Sequence, residues 1–462
     1  MADRLSSLDA SFLYLEDETT PMHIGGVALF ERPAEGFDYE QLLSLISERI
    51  PFVPRFRQEL KSVPGGLLPP VWVDDEHFDV SFHVRRSALP EPGNLEQLDE
   101  LVSRIMSRPL DRSRPMWEMY LVEGLSDDRF AILTKTHHSM VDGVSSIDIG
   151  QVILDVSPEP REVPEDTWVP TAPPGSLSLW AGSVWEFTRR PTRLLDAVGR
   201  GASDIGRAGM SLLKGTGAVM SAARRAARPA PSTSWNVTIS GQRRFTRVDT
   251  LLDDYKRVRK QHGGTVNDVI LAAVTGALRS WMLTRGEPVT SSTTIRAMVP
   301  VSVRAPDDET GGNRVAPLFV DLPVGEPSPV VRLQQISYRM TGHKESGQAV
   351  GADTLVSLAG FAPSTIHGLA ARTASGLSRR IYNVLVTNVP GPQFPLYAAG
   401  ARMLAAYPVV PLAKAQGLGI GCTSYDGNVS FGLTADRDAV PDLDVLADCL
   451  TESMNELLGT LR

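Results

Sequence analysis

The chain has 462 residues, of which 42 % are hydrophobic and 22 % charged, the composition of a soluble globular protein with room for two or three domains. Lys plus Arg number 46 against 54 Asp plus Glu, a net charge of -8, which argues against a dedicated nucleic-acid binder. Two cysteines, Cys422 and Cys449, cannot build a disulfide framework and point to a reducing compartment.

The N-terminal run MADRLSSLDASFLYLEDETT lacks the basic and long apolar regions of a signal peptide. Met22 to Glu31 reads as a strand with a glycine pair. Tyr39 to Ile50 carries Leu42, Leu43, Ile46 and Ile50 at helical spacing. Trp117 to Val122 and Phe130 to Thr136 read as strands joined by the turn residues Ser126, Asp127 and Asp128. Ser145 to Leu154 reads as a helix.

Ser157 to Gly175 is rich in Pro and Glu and reads as an exposed linker. From Ser176 to Ala230, nine basic residues face three acidic ones, a net +6 on an otherwise acidic chain. Trp180, Trp185, Phe187 and several Leu and Met are interleaved with them. Two readings stand: a helix lying on an anionic lipid surface, or a connector packed on the protein's own acidic body. Thr265 or Asn267 can cap a helix that carries Val269, Ile270, Ala273, Val274, Ala277, Leu278 and Trp281. Ile381 to Val386 is an expected buried strand. Asn428 to Thr434 alternates Val429, Phe431 and Leu433 inward, the pattern of a half-exposed strand. Leu446, Cys449, Leu450 and Leu457 form a stripe on the last helix, which places Cys449 in core packing. Two long uncharged stretches, Thr354 to Ala371 and Ile381 to Ala401, are interrupted by proline and polar residues and do not read as membrane spans. The expected organisation is α/β: an N-terminal domain over 1–156, a linker and basic connector over 157–235, and a C-terminal domain over 236–462.

The string with chemical content is His137-His138-Ser139-Met140-Val141-Asp142-Gly143, placed after an apolar strand and before a helix. A histidine titrates near pH ~6.5, so one of the pair can act as general base at neutral pH. Asp142 would then hold the loop through a salt bridge, and Gly143 would permit a tight backbone. A metal site is disfavoured because adjacent side chains on a strand point to opposite faces. A purely structural pair, satisfied in the core, is the plainer alternative. No GxSxG elbow and no cysteine nucleophile motif is present, so direct attack by an activated acceptor fits the inventory better than an acyl-enzyme.

HHSMVDG resembles the active-site motif of the coenzyme A-dependent acyltransferase superfamily, which includes chloramphenicol acetyltransferase and peptide-synthetase condensation domains. LSSLDASFLYLEDETTPMHIGG, PLDRSRPMWE, NDVILAAVTGALR, VPVSVR and NVPGP narrow the likeness. They are similar to the bacterial wax ester synthase/diacylglycerol acyltransferase family, over essentially the whole chain. One departure is Pro115-Met116-Trp117 where the family has Pro-Leu-Trp, a volume-conserving change.

The resemblance implies two chloramphenicol acetyltransferase-like α/β domains with an active-site channel between them. It implies transfer from long-chain acyl-CoA, a substrate rather than a cofactor, to diacylglycerol or a fatty alcohol, with no metal and no nucleic acid. By the same carry-over His138 is the general base and His137 supports it. Asp142 pairs with an Arg of the other domain, for which Arg304 is the candidate. Asn267 and Asp268 match the family's Asn-Asp motif, although chemistry alone favours a helix cap. Trp117 lines the channel or fills the core. Asn267, Thr423 and Ser424 are candidate oxyanion donors. The expected location is cytoplasmic, peripherally bound to membrane or lipid droplets. Two rival readings remain: a condensation-type transferase acting on a polyketide or glycolipid hydroxyl, and a catalytically silent lipid-binding protein of the droplet surface.

Overall fold

A computed structural model describes residues 3–5, 7–62, 70–141, 149–163, 166–172, 175, 229–302, 315–345 and 381–461. In the N-terminal part the elements are β1 (Asp3–Arg4), α1 (Ser7–Leu15), β2 (His23–Glu31), α2 (Tyr39–Arg49), β3 (Gln58–Lys61), β4 (Val71–Asp74), α3 (Val80–His83), β5 (Val84–Ala88), α4 (Leu95–Met106), β6 (Trp117–Leu125), β7 (Arg129–His137) and α5 (Ile149–Val152). After the connector come β8 (Arg243–Leu251), α6 (Leu252–His262), α7 (Val266–Thr284), β9 (Ile295–Ser302), β10 (Val315–Leu322), α8 (Pro329–Glu345), β11 (Val384–Pro390), β12 (Tyr397–Ala398), β13 (Ala401–Val409), β14 (Leu418–Tyr425), β15 (Asn428–Asp436) and α9 (Leu443–Leu458).

Local chemistry sets the helix starts. Asp38 and Gln41 form a reciprocal capping box on α2, and Asn94 and Gln97 do the same on α4. On α7 the cap is Thr265, boxed with Asp268; Asn267 is already inside the helix. The β6–β7 turn places Asp127 and Asp128 at φ 59° and 49°, a left-handed geometry that Asp tolerates better than most residues. The expected strand from Ile381 starts later, at Val384.

Two six-stranded sheets organise the molecule. One runs β12-β13-β2-β7-β6-β5, the other β10-β9-β11-β14-β15-β8. The first is sandwiched between two apolar clusters: Phe30, Phe130, Ile132 and Trp117 on one face, and Val27, Leu133, Val102 and Ile105 on the other. The second packs on α7 and α9 through Val269, Ala273, Leu278, Leu446 and Leu450. Sheet membership crosses the sequence boundary at residue 236: β12 and β13 come from the C-terminal part yet extend the N-terminal sheet, with β13 antiparallel to β2. The basic connector over 176–228 lies outside the described residues.

β15 corrects the half-exposed expectation, because it is buried on both faces. Its polar face is covered where β13 crosses: a Cβ on Gly432 would lie 2.0 Å from the Pro408 carbonyl oxygen. Gly432→Ala is therefore expected to cost about 1–3 kcal/mol, since neither backbone can yield easily. Gly342→Ala, on the exposed face of α8 where the added Cβ meets nothing within 4 Å, is the opposite control and is expected to stabilise by about 0.5–1 kcal/mol. The urea midpoints of the two variants check this.

Candidate active site

The site is built at the end of the central strand β7. His137 is its last residue, opposite His23 of β2, and His138–Met140 form a 3₁₀ turn. Two backbone bonds fix the turn between its neighbours: His137 N–H donates to the Met116 carbonyl (2.9 Å), and His138 N–H to the Met22 carbonyl (2.8 Å). Met116 belongs to the Pro115-Met116-Trp117 string and Met22 immediately precedes β2 in the N-terminal string, so both sequence motifs hold the histidine backbone.

The two imidazoles have opposite situations. His137 is 1 % exposed. The Ser139 backbone N–H can only donate, and it points at His137 Nδ1 (3.1 Å), with the Ser139 hydroxyl also 2.7 Å away. Nδ1 is thus the acceptor, and the ring proton sits on Nε2, which donates to Glu16 Oε2 at 2.9 Å. Both nitrogens are occupied, so His137 has no lone pair left for a substrate. Glu16 also accepts from Arg112 Nη2 at 2.5 Å. Burial would raise its carboxyl, but the hydrogen bonds from His137 and Arg112 outweigh that and hold it below the ordinary carboxylate value.

His138 has no such partner. No described side chain hydrogen-bonds its ring, and its buried Nδ1 is unsatisfied. The ring lies flat on Phe12 of α1, with centroids 3.9 Å apart and planes 18° from parallel. Burial, reinforced by the nearby His137, pushes its pKa below the ordinary histidine value. At neutral pH it is an uncharged base, with its ring stacked on Phe12 and no side-chain hydrogen bond among the described residues.

The strands beneath are held by α4. His23 Nε2 bonds the Met106 carbonyl (2.8 Å), and Lys135 Nζ bonds the carbonyls of Ile105 (3.1 Å) and Arg108 (2.5 Å). Burial pushes His23 down to about 3 and Lys135 down to about 8. The lysine ammonium therefore meets the carbonyl end of the helix, where a cation is favoured.

The other sequence-derived residues fall in separate places. Asp142, Gly143 and Arg304 lie outside the described residues. Trp117 is 1 % exposed, stacks on His83 and donates its indole N–H to the Phe56 carbonyl (2.8 Å). Asp268 is buried and spent on the α7 cap. Asn267 accepts from the Asn388 amide at 3.2 Å, which joins the NDVILAAVTGALR and NVPGP strings. Thr423 donates its hydroxyl to the Val389 carbonyl (2.7 Å), and Ser424 accepts from Gln393 (3.2 Å). Asn267, Thr423 and Ser424 thus gather around β11 and β14. No hydrogen bond links them to His137 or His138 among the described residues. Sequence reasoning missed Glu16, Phe12, Arg112 and Ser139. The available signal was the acidic run Glu16-Asp17-Glu18 that closes the apolar FLYL.

Comparison with known proteins agrees with this architecture. The wax ester synthase/diacylglycerol acyltransferase catalytic domain matches residues 5–270, and the C-terminal domain of the same family matches 311–458. A Mycobacterium tuberculosis protein carried under the name "Probable diacyglycerol O-acyltransferase tgs2" is 35 % identical, over 98 % of either chain. The solved wax ester synthase/diacylglycerol acyltransferase from Marinobacter aquaeolei VT8 superposes with TM-score 0.69 at 30 % identity, covering 98 % of both chains. The first condensation domain of the CDA synthetase shares the fold alone, with TM-score 0.58 at 13 % identity, over 100 % of this chain and 97 % of that one. With two sheets of matching architecture and both halves of the sequence accounted for, this chain is an acyltransferase and belongs to the wax ester synthase/diacylglycerol acyltransferase family.

Proposed function

We propose that the protein transfers a long-chain acyl group from acyl-CoA directly to the hydroxyl of diacylglycerol or a long-chain alcohol, with His138 as general base. The observation that carries this reading is the contrast between the two imidazoles: His137 is saturated by Ser139 and Glu16, whereas the His138 ring is neutral and free of side-chain partners. His138 removes the acceptor hydroxyl proton as the oxygen attacks the thioester carbonyl carbon. The tetrahedral oxyanion collapses, the C–S bond breaks, and the CoA thiolate recovers the proton from His138. Of the three candidate oxyanion donors, Asn267 and Ser424 keep a free donor, since both only accept in their hydrogen bonds. The Thr423 hydroxyl is already spent on Val389. Asp142, Gly143 and Arg304 keep the loop-holding roles that the family resemblance implies.

Palmitoyl-CoA offered in parallel with diacylglycerol and with hexadecanol tests the substrate class. The expected result is equimolar free CoA and triacylglycerol or wax ester by mass spectrometry. Product with neither acceptor overturns the reading. The pH profile tests the base. Because burial lowers the His138 pKa, the active neutral form persists to lower pH, and kcat/KM is expected to fall on the acid side with an apparent pKa below ~6.5. An acid limb above that value contradicts the assignment.

The acceptors are poorly soluble, and among the described residues no helix is long and apolar enough to cross a membrane. We infer that the segment 176–230, with net +6 and three large aromatics, brings the enzyme to anionic lipid surfaces. Pelleting with anionic liposomes is expected to weaken as salt rises, and to weaken at low salt when Arg189, Arg190, Arg224 and Arg225 are changed to Ser.

A further inference from the structure

The N-terminal helix α4 runs along the outer edge of β8, the last strand of the C-terminal sheet. Strand edges expose a row of unpaired backbone N–H groups, and here serines on the helix cover two of them. Phe245 N–H donates to Ser103 Oγ and Arg243 N–H to Ser107 Oγ, both at 2.8 Å. Each serine in turn donates its proton one turn back, to the carbonyls of Asp99 and Ser103 (both 2.7 Å). The spacing then reaches Asp99, whose Oδ1 lies 3.0 Å from Arg247 Nε. Residues 99, 103 and 107 of α4 thus meet 247, 245 and 243 of β8 as three rungs between the two sheets.

The third rung differs from the other two. Asp99 Oδ1 and Arg247 Nε are both buried, and neither makes a hydrogen bond despite their proximity. Facing Asp99 are Arg247 and Asp249 of β8, Tyr407 of β13, Asp444 of α9 and Glu96 of its own helix. Asp249 is held in place by the Tyr407 and Ser430 hydroxyls (2.7 and 2.8 Å). A cleft of about 850 Å³ flanks the rungs, lined also by Glu100, Arg104, Arg244, Arg437 and Asp448, and it gives the contact a side on which to part.

We propose that the α4–β8 contact is a proton-sensitive latch between the two sheets, tighter when Asp99 is protonated. Arg244 pairs with Asp444 at 3.0 Å, and Arg104 and Arg437 line the cleft, so Arg247 is the guanidinium in contact with the Asp99 carboxyl. A buried carboxyl whose Oδ1 meets that guanidinium without a hydrogen bond is more stable uncharged, and parting the contact would return it to water. Burial, opposed by Arg247 and aided by Glu96, Asp444 and Asp249, pushes Asp99 up to about 7. The sign follows from linkage. The closed contact holds a proton that the open one releases between pH ~4 and ~7, so closure is strongest at low pH and lost as pH rises toward 7.

The amides of Arg243 and Phe245 point away from β15 to the helix, so their exchange reports the latch rather than the sheet. Hydrogen exchange on the full chain, corrected for intrinsic rates, is the test. Their opening constant is expected to rise about tenfold per pH unit from pH 5 to 7 and to level off above it. In Asp99→Asn it is expected to stay low and flat, while Gly419, paired inside the sheet, shows no such slope in either protein. Carbon-13 titration of the wild-type Asp99 carboxyl needs no variant and is expected to show its midpoint near 7. A midpoint near the ordinary ~4, a flat wild-type profile, or protection that falls as pH falls would overturn the latch and leave an ordinary ion pair.

Discussion

His138→Ala is expected to lower kcat/KM by about 10²–10⁴-fold while leaving the urea midpoint nearly unchanged. That is the size of the proposed general-base role, and the His138 ring makes no hydrogen bond to another described side chain whose loss would unsettle the fold. What the fold loses is one stacked face against Phe12 of α1. His138→Gln separates the two contributions, since it restores bulk without a titratable nitrogen and is expected to be as inactive as alanine. A variant that keeps more than about a tenth of the rate would remove the base assignment by the same yardstick.

Glu16→Ala is expected to follow, at about 10²-fold in kcat with a smaller change in KM, although Glu16 bonds no ring nitrogen of His138. The carboxylate takes the proton of His137 Nε2, and that bond fixes the tautomer and ring plane of His137. Without it a buried N–H is left without an acceptor, at a cost of about 1–3 kcal/mol, and the ring is free to exchange tautomers. The turn that the His137 ring caps then shifts, and a displacement of ~1 Å at a reacting group can cost about 10²-fold. Glu16→Gln, which retains an acceptor oxygen, is expected to recover much of the stability and part of the rate. Nitrogen-15 shifts of His137 discriminate the cause. Nε2-protonated in the wild type and a tautomer mixture in Glu16→Ala is the expected result; an unchanged Nε2 signal with full activity would make Glu16 dispensable.

Much of this was legible in the sequence. The strands at 117 and 130, the capped helix after Thr265 and the stripe holding Cys449 follow from local periodicity and capping chemistry, which act over a few residues. The His motif announced itself because its spacing sits between a buried strand and a loop. Glu16 did not, because its partner is 121 residues away and only tertiary packing brings α1 beside the turn. β13 was missed for the same reason: no local signal says which sheet a strand joins, and this one leaves the C-terminal part to pair with β2. That crossing also explains β15. Ser430, Gly432 and Thr434 read as a solvent face, yet Pro408 of β13 lies over Gly432. The Asn267–Asp268 pair shows a double use of one motif. Asp268 serves the helix cap, while Asn267 is turned toward Asn388, a division that spacing alone cannot make.

Direct transfer from thioester to acceptor can be told from an acyl-enzyme route by rapid quench with enzyme in excess over palmitoyl-CoA. Without acceptor, no burst of free CoA and an unchanged intact-protein mass are expected. With hexadecanol or diacylglycerol added, CoA and ester appear together in equal amounts. A stoichiometric burst of CoA without acceptor, accompanied by a protein mass increased by one acyl group, would contradict direct transfer and require a nucleophile that attacks the thioester before the acceptor does.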